Sequence, residues 1–202
     1  MGCYSPLPEL SSQDLERLMD VAVHPTVNEL KNRGIDYRGV LFAGFMLTEE
    51  GPKLLEYNIR FGDPEAMNAL SLLETDLIEL CSAMADGTLN NIDIRFANKA
   101  TVCKYAVPEG YPDKPVKGES IDTSKISDPD KLFYASVDIK DGALIESGSR
   151  TVAVVGVADS ISEAEKIAEN EIASVGGPLF HRKDIGTDAI IQRRVEHMRA
   201  LR

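Results

Sequence analysis

Apolar residues first recur at helical spacing, as Leu15, Leu18, Met19, Ala22, Val27 and Leu30. Ser11 or Ser12 would cap this helix, Pro25 should kink or interrupt it, and Gly34 suits its stop. The period then shortens to two. Residues 40–48 are apolar and include Phe42 and Phe45, and residues 53–60 return after Glu49-Glu50-Gly51-Pro52, so a hairpin is predicted. In its second strand Leu55, Tyr57 and Ile59 should point one way, and Glu56, Asn58 and Arg60 the other. Helical pattern follows to about residue 73, with Pro64 in the first turn and Asp63 as cap. It resumes over 75–86 with Leu77, Leu80, Cys81 and Met84 on one side, and Gly87 ends it. Residues 1–8 read as a loop punctuated by Gly2, Pro6 and Pro8.

The character changes around 90–98, where a domain boundary is expected. Strands are predicted over 99–107, 131–140, 143–146 and 150–158, with Asp141-Gly142 as a hairpin turn. A polar loop with four prolines spans 108–130. A helix over 162–175 would start at Ser162 with Ile161 as its staple. Gly176-Gly177-Pro178 reads as a turn, and Thr187 as the cap of a last helix running to 201. The pattern predicts an α+β fold: a hairpin with helices in residues 1–92, then a small antiparallel sheet or partial barrel with a covering helix in 93–202.

Charge narrows the partners. The net charge is -11 and no basic stripe occurs, so a nucleic-acid partner is not expected. No apolar run approaches the ~20 residues that span a bilayer, and no signal peptide is visible. The three cysteines, Cys3, Cys81 and Cys103, are odd in number and widely spaced. That favours neither a disulfide framework nor a zinc knuckle, and a reducing cytoplasm fits best. Cys81 and Cys103 read as small core residues.

Candidate chemistry concentrates in Glu56-Tyr57-Asn58-Ile59-Arg60-Phe61-Gly62-Asp63-Pro64-Glu65. Two residues apart on a strand, Glu56 and Asn58 share a face. A carboxylate and an amide oxygen are hard ligands suited to Mg²⁺ or Mn²⁺. The Arg60 fork suits a carboxylate or phosphate, and Asp63 at a helix start suits a substrate amine. By spacing alone the row is equally a solvated hairpin face. The three histidines carry less: His24 reads as a packed or exposed helix residue, His197 as a solvated residue of the last helix, and His181, beside Arg182 and Lys183, as a surface-loop residue within reach of phosphate.

The run from Glu56 to Glu65 resembles a signature of the phosphoribosylamine–glycine ligases, also called glycinamide ribonucleotide synthetases. Three further stretches are similar in order: Gly2-Cys3-Tyr4-Ser5-Pro6 to the end of that family's glycine-rich loop, Tyr37 to Gly44 to its preceding strand, and Arg182-Lys183-Asp184-Ile185-Gly186 to a motif near its C-terminus. The resemblance implies an ATP-grasp domain followed by the family's C-terminal domain. It implies ligation of 5-phosphoribosylamine to glycine with ATP cleaved to ADP and phosphate. Glu56 and Asn58 would hold Mg²⁺ or Mn²⁺ on ATP. Arg60 would be catalytic, steadying the transferring phosphoryl group or the glycine carboxylate. Gly62 and Asp63 would line the substrate side, and Ser5 with the Gly2 backbone would approach substrate.

The family's chains are about twice as long. Their N-terminal α/β domain, the clamp over ATP and the first part of the ATP-grasp domain have no counterpart here. The resemblance therefore implies a C-terminal fragment or one half of a split enzyme, inactive alone, whose partner is the missing N-terminal portion. Many ATP-grasp sites take a further metal ligand from the preceding strand, and the residues around Gly44 offer no acid there. Two other readings stand beside this one: a fragment of another ATP-grasp carboxylate–amine ligase, and a non-catalytic docking module.

Overall fold

A computed structural model describes residues 1–201. The fold is α+β and divides into two compact units that interleave along the chain. One contains Met1–Pro6, Met67–Leu72 and Asn98–Ile190, the other Leu7–Ala66, Leu73–Ala97 and Ile191–Arg202.

The first unit is an antiparallel sheet with a covering helix. Strands β1 (Gly2–Ser5), β4 (Ala100–Pro108), β8 (Val152–Ala158) and β5 (Leu132–Tyr134) lie in that order, and β9 (Leu179–His181) also pairs with β4. β4 is buried along its whole length, and the period of two divides its side chains. Cys103, Tyr105 and Val107 meet Ala153 and Val155 in one apolar cluster, joined by Cys3, Met67 and Phe133. The opposite face lies under α5 (Ile161–Ser174), whose Ala164, Ala168 and Ile172 are buried against it. The approach is close: a Cβ built at Gly156 would sit 2.9 Å from the Ala168 nitrogen and closer still to the Ala164 carbonyl oxygen. Glycine there lets the helix backbone seat directly on the sheet.

Three local expectations change. The segment read as a loop at the N-terminus is a strand, with Cys3 opposite Cys103 and Ser5 opposite Thr101. Residues 131–140 do not form one strand but break into a 3₁₀ turn, β5 and β6 (Val137–Lys140). The covering helix begins two residues early, because Ser160, not Ser162, accepts from the Glu163 amide, and the two side chains bond at 2.9 Å. Ile161 is thus a helical residue. The β6–β7 (Ala143–Glu146) hairpin turns at Asp141-Gly142 as expected, both with positive φ.

The second unit holds the helical segment and the other hairpin. Ser11 caps α1 (Ser12–Leu18) in a capping box with Asp14. Before Pro25 the helix loosens into a π-helical turn at Met19–Val23, then α2 (His24–Asn32) continues. It ends where Gly34 takes positive φ, with Ile35 N–H on the Leu30 carbonyl and Gly34 N–H on that of Lys31. β2 (Phe42–Thr48) pairs with β3 (Gly51–Asn58) through the two-residue turn Glu49-Glu50. Tyr57 fastens the hairpin to the helix, donating to the Ala22 carbonyl at 2.9 Å and meeting the Thr26 hydroxyl at 2.7 Å.

Helix α3 (Glu65–Leu70) starts after a cis Asp63–Pro64 bond, and α4 (Leu77–Asp86) is capped by Asp76. α6 (Asp188–Leu201) closes the described chain. Cys103 is a core residue, but Cys81 is exposed. The apolar face expected of α4 is half open as well, with Leu77 exposed and Leu80 and Met84 half-buried.

Candidate functional site

β3 presents the expected pair. Asn58 Nδ2 donates to Glu56 Oε1 at 3.0 Å, so the two side chains stand together on one face. Tyr57 between them points oppositely, toward the helix. Glu56 is exposed and Asn58 half-buried. Neither is sealed in apolar packing, and among the described residues no lysine or arginine pairs with Glu56.

Two deviations reshape the rest of the row. A β-bulge lies between Gly44 and Phe45, where Gly44 faces Glu56 but Phe45 faces Leu54. Leu55 is the extra residue and is 63% exposed, so it does not join Tyr57 inside. Regular pairing also ends at Asn58. Beyond it Ile59 is 75% exposed, and the Arg60 guanidinium donates to the neighbouring Phe61 carbonyl at 2.8 Å. Arg60 is therefore exposed and turned back on its own chain rather than ranged beside Asn58.

Gly62 is buried and Asp63 exposed in the connection to α3. A Cβ at Gly62 would stand 2.5 Å from Glu65 Oε2 and 3.1 Å from the Phe42 ring. Glycine thus lets the Glu65 carboxylate lie against the Gly62 backbone.

The remaining site candidates lie in the other unit. Gly2 faces Lys104, and Ser5 faces Thr101 in the β1–β4 register. The Gly2 position has no room for a side chain, because a Cβ there would press on the Cys103 carbonyl oxygen and stand 3.1 Å from Ile185 Cγ2. Two motifs far apart in the sequence, Gly2 to Pro6 and Arg182 to Gly186, therefore meet. Ile185 is buried, and Gly186 has positive φ against Val102. Arg182 holds Asp184 through two bonds of 2.9 and 2.6 Å, which raise its guanidinium pKa above the ordinary value.

A charged cluster in that unit has no forerunner in the sequence reading. Lys104 is fully buried, and its Nζ donates at 2.6 Å to Glu165, at 2.6 Å to Glu169 and at 3.0 Å to the Lys183 carbonyl. His181 is not in a surface loop but on β9, with Nε2 3.1 and 3.2 Å from the two Glu169 oxygens. Burial pushes the Glu169 carboxyl up, but the bonds from Lys104 and His181 outweigh it and hold its pKa below the ordinary value. His24 and His197 are exposed, His24 beside Asp20 at 3.1 Å.

The donor set bears on a metal. Among the described residues no group of three or more His, Cys, Asp or Glu side chains is placed to hold an ion. One carboxylate and one amide oxygen remain, on an open face. Mg²⁺ keeps several waters and is commonly held by one or two protein oxygens plus phosphate oxygens, so the pair fits such an ion and not a protein-enclosed one. No helix among the described residues is long and apolar enough to cross a membrane.

Comparison with known proteins adds two family matches. Residues 1–66 match the family model described as phosphoribosylglycinamide synthetase, ATP-grasp (A) domain. Residues 101–188 match phosphoribosylglycinamide synthetase, C domain. The phosphoribosylamine–glycine ligase of Methanosarcina barkeri is 48% identical over 207 residues, covering 100% of this chain and 47% of the relative. That of Methanocaldococcus jannaschii is 48% identical over 209 residues, again covering 47% of the relative. This chain thus spans about half the length of the curated relatives it matches. Among solved structures, the phosphoribosylamine–glycine ligase of Thermotoga maritima superposes with a TM-score of 0.77 at 28% identity, over 92% of this chain and 46% of that one. The biotin carboxylase domain of a thermophilic 2-oxoglutarate carboxylase shares the fold, with a TM-score of 0.61 at 15% identity, over 96% of this chain and 42% of that one.

Proposed function

The chain belongs to the phosphoribosylglycinamide synthetase family, and from that footing we propose that it supplies the metal-binding strand and C-terminal domain of a ligase joining 5-phosphoribosylamine to glycine at the expense of ATP. The observation that carries the reading is the 3.0 Å juxtaposition of Glu56 and Asn58 on an open strand face. In this reading the two side chains hold Mg²⁺ or Mn²⁺ on the ATP phosphates. Such an ion supplies positive charge against the phosphoryl group as it moves. For the ion to lie between the pair, the Asn58 amide turns its oxygen toward Glu56 in place of the nitrogen.

Arg60 steadies the transferring group or the glycine carboxylate once its bond to Phe61 is exchanged for substrate. Gly62 and Asp63 line the substrate side, and Gly2 with Ser5, on β1, serves as a substrate-approaching segment. Residues 1–92 act as the ATP-grasp portion and 93–202 as the C-terminal domain, a division supported by the family matches at 1–66 and 101–188. The setting is cytoplasmic. Two metal ligands without a nucleotide cleft supply little positioning, and phosphoryl transfer depends mostly on positioning and electrostatics. The chain is therefore inactive alone and works with the portion that completes its relatives' length.

The test mixes the purified chain with the N-terminal half of a family ligase and follows ADP and ligated product. Product from the mixture but from neither part, abolished by Glu56→Ala, supports the reading. If the mixture is inert while the two parts still associate, the non-catalytic docking module replaces it.

A further inference from the structure

Two buried side-chain oxygens without a partner belong to residues that are themselves hydrogen-bonded to each other in the first unit. Asn68, in α3, is 4% exposed, and its Nδ2 donates to the Thr101 carbonyl at 3.4 Å. That bond fixes the amide, because the reversed orientation would set two acceptor oxygens against each other. It leaves Asn68 Oδ1 buried and unsatisfied. Thr101 is fully buried on β4, and its Oγ1 is unsatisfied too. Period two puts the Thr101 side chain on the same face of β4 as Cys103. Cys103 belongs to the apolar cluster against which Met67, the residue just before Asn68, packs.

An isolated buried polar atom forfeits its full hydration, so native structures rarely keep one, let alone two on a pair of hydrogen-bonded residues. Both orphans accept: the amide oxygen only accepts, and the hydroxyl accepts or donates. One small molecule with two donor hydrogens and a lone pair satisfies both. A water is that molecule, and a polar niche with several partners is where internal waters reside.

We propose that Asn68 Oδ1 and Thr101 Oγ1 bind one internal water on the face of β4 beneath α3, at the register position opposite Ser5. The water makes the Asn68–Thr101 contact a three-member network, and it sets how firmly the Ser5 end of β1 is held. The site stands whether or not the chain is part of a ligase, and every readout below is taken on the chain alone.

A high-resolution crystal structure is expected to show one well-ordered water within hydrogen-bond distance of both oxygens. Thr101→Val removes one anchor at nearly constant volume. If the water is there, the variant loses a bond: its melting midpoint falls by several degrees, the water is gone from its structure, and amide exchange quickens at Cys3 to Ser5. Thr101→Ser keeps the hydroxyl and should keep the water. If the niche is dry, Thr101→Val relieves an unsatisfied hydroxyl, and the midpoint stays or rises. A dry wild-type structure or an unchanged or raised Thr101→Val midpoint overturns the proposal.

Discussion

Asn58 donates through Nδ2 to Glu56 Oε1 at 3.0 Å across the exposed face of β3. The bond is solvent-exposed and neutral–charged, so it adds little to stability, while in the proposed reading the amide turned the other way gives a hard cation two oxygens. Glu56→Ala is therefore expected to leave the melting midpoint within a degree or two of wild type and to abolish Mn²⁺ binding seen by electron paramagnetic resonance. Asn58→Asp should tighten Mn²⁺ binding by adding charge. Mn²⁺ affinity unchanged in Glu56→Ala would remove this pair as the metal site.

At the buried charge cluster of the first unit the effect reverses: large on stability, none on metal. Lys104 lies wholly inside, against Glu165 and Glu169. Lys104→Met leaves two largely enclosed carboxylates facing each other without their cation, and breaking a buried pair from one side costs about 3–5 kcal/mol. Urea titration should show that loss in the midpoint with little change in slope. A double change of Glu165 and Glu169 to Gln in the Lys104→Met background should recover part of it.

Glu169 also sets a pH dependence. Its folded pKa is lowered by the Lys104 and His181 bonds against the opposing effect of burial. A lowered carboxyl pKa means that the unfolded chain takes up a proton first as pH falls. The stabilisation is thus complete above the ordinary carboxylate range and drains away as pH falls through it toward the lowered value. Melting midpoints measured downward from neutral pH should fall more steeply for wild type than for Glu169→Gln. Parallel curves would show that Glu169 contributes nothing to acid sensitivity.

Much of this was legible in the sequence because local chemistry decided it. The Ser11 cap, the Gly34 stop, the 42–58 hairpin and the Asp141-Gly142 turn each need only neighbours within a few residues, and each forms. What was missed depends on distant partners or on rival local signals. β1 has too few residues for a period, and it exists because β4 offers an edge some hundred residues on. Ser160 and Ser162 each precede a glutamate by three, so spacing could not choose between two equivalent capping boxes. Lys104 sits in an apolar run whose period puts it inside, yet nothing nearby names Glu165 and Glu169 as its counterions. The bulge at Leu55 interrupted an alternation that was otherwise correct at Glu56 and Asn58.

The hairpin leads to a last prediction, about what remains open. β2 and β3 pair only with each other, and such a two-stranded sheet is marginal in water without further cover. Leu55 and Ile59 are largely exposed on it, and Ile78 on α4 is 77% exposed. Apolar groups so placed gain about 25 cal/mol for each Å² removed from water, so the chain should associate with itself or with the N-terminal portion of a family ligase. Replacing Leu55 and Ile59 by Lys removes that incentive at two largely exposed positions, and the unfolding free energy should hold within ~0.5 kcal/mol of wild type. Light scattering should then show wild type growing in mass with concentration and the double variant remaining at the monomer mass. Should both stay monomeric, and should the double variant bind the N-terminal half as tightly as wild type does, this open face is not where partners meet.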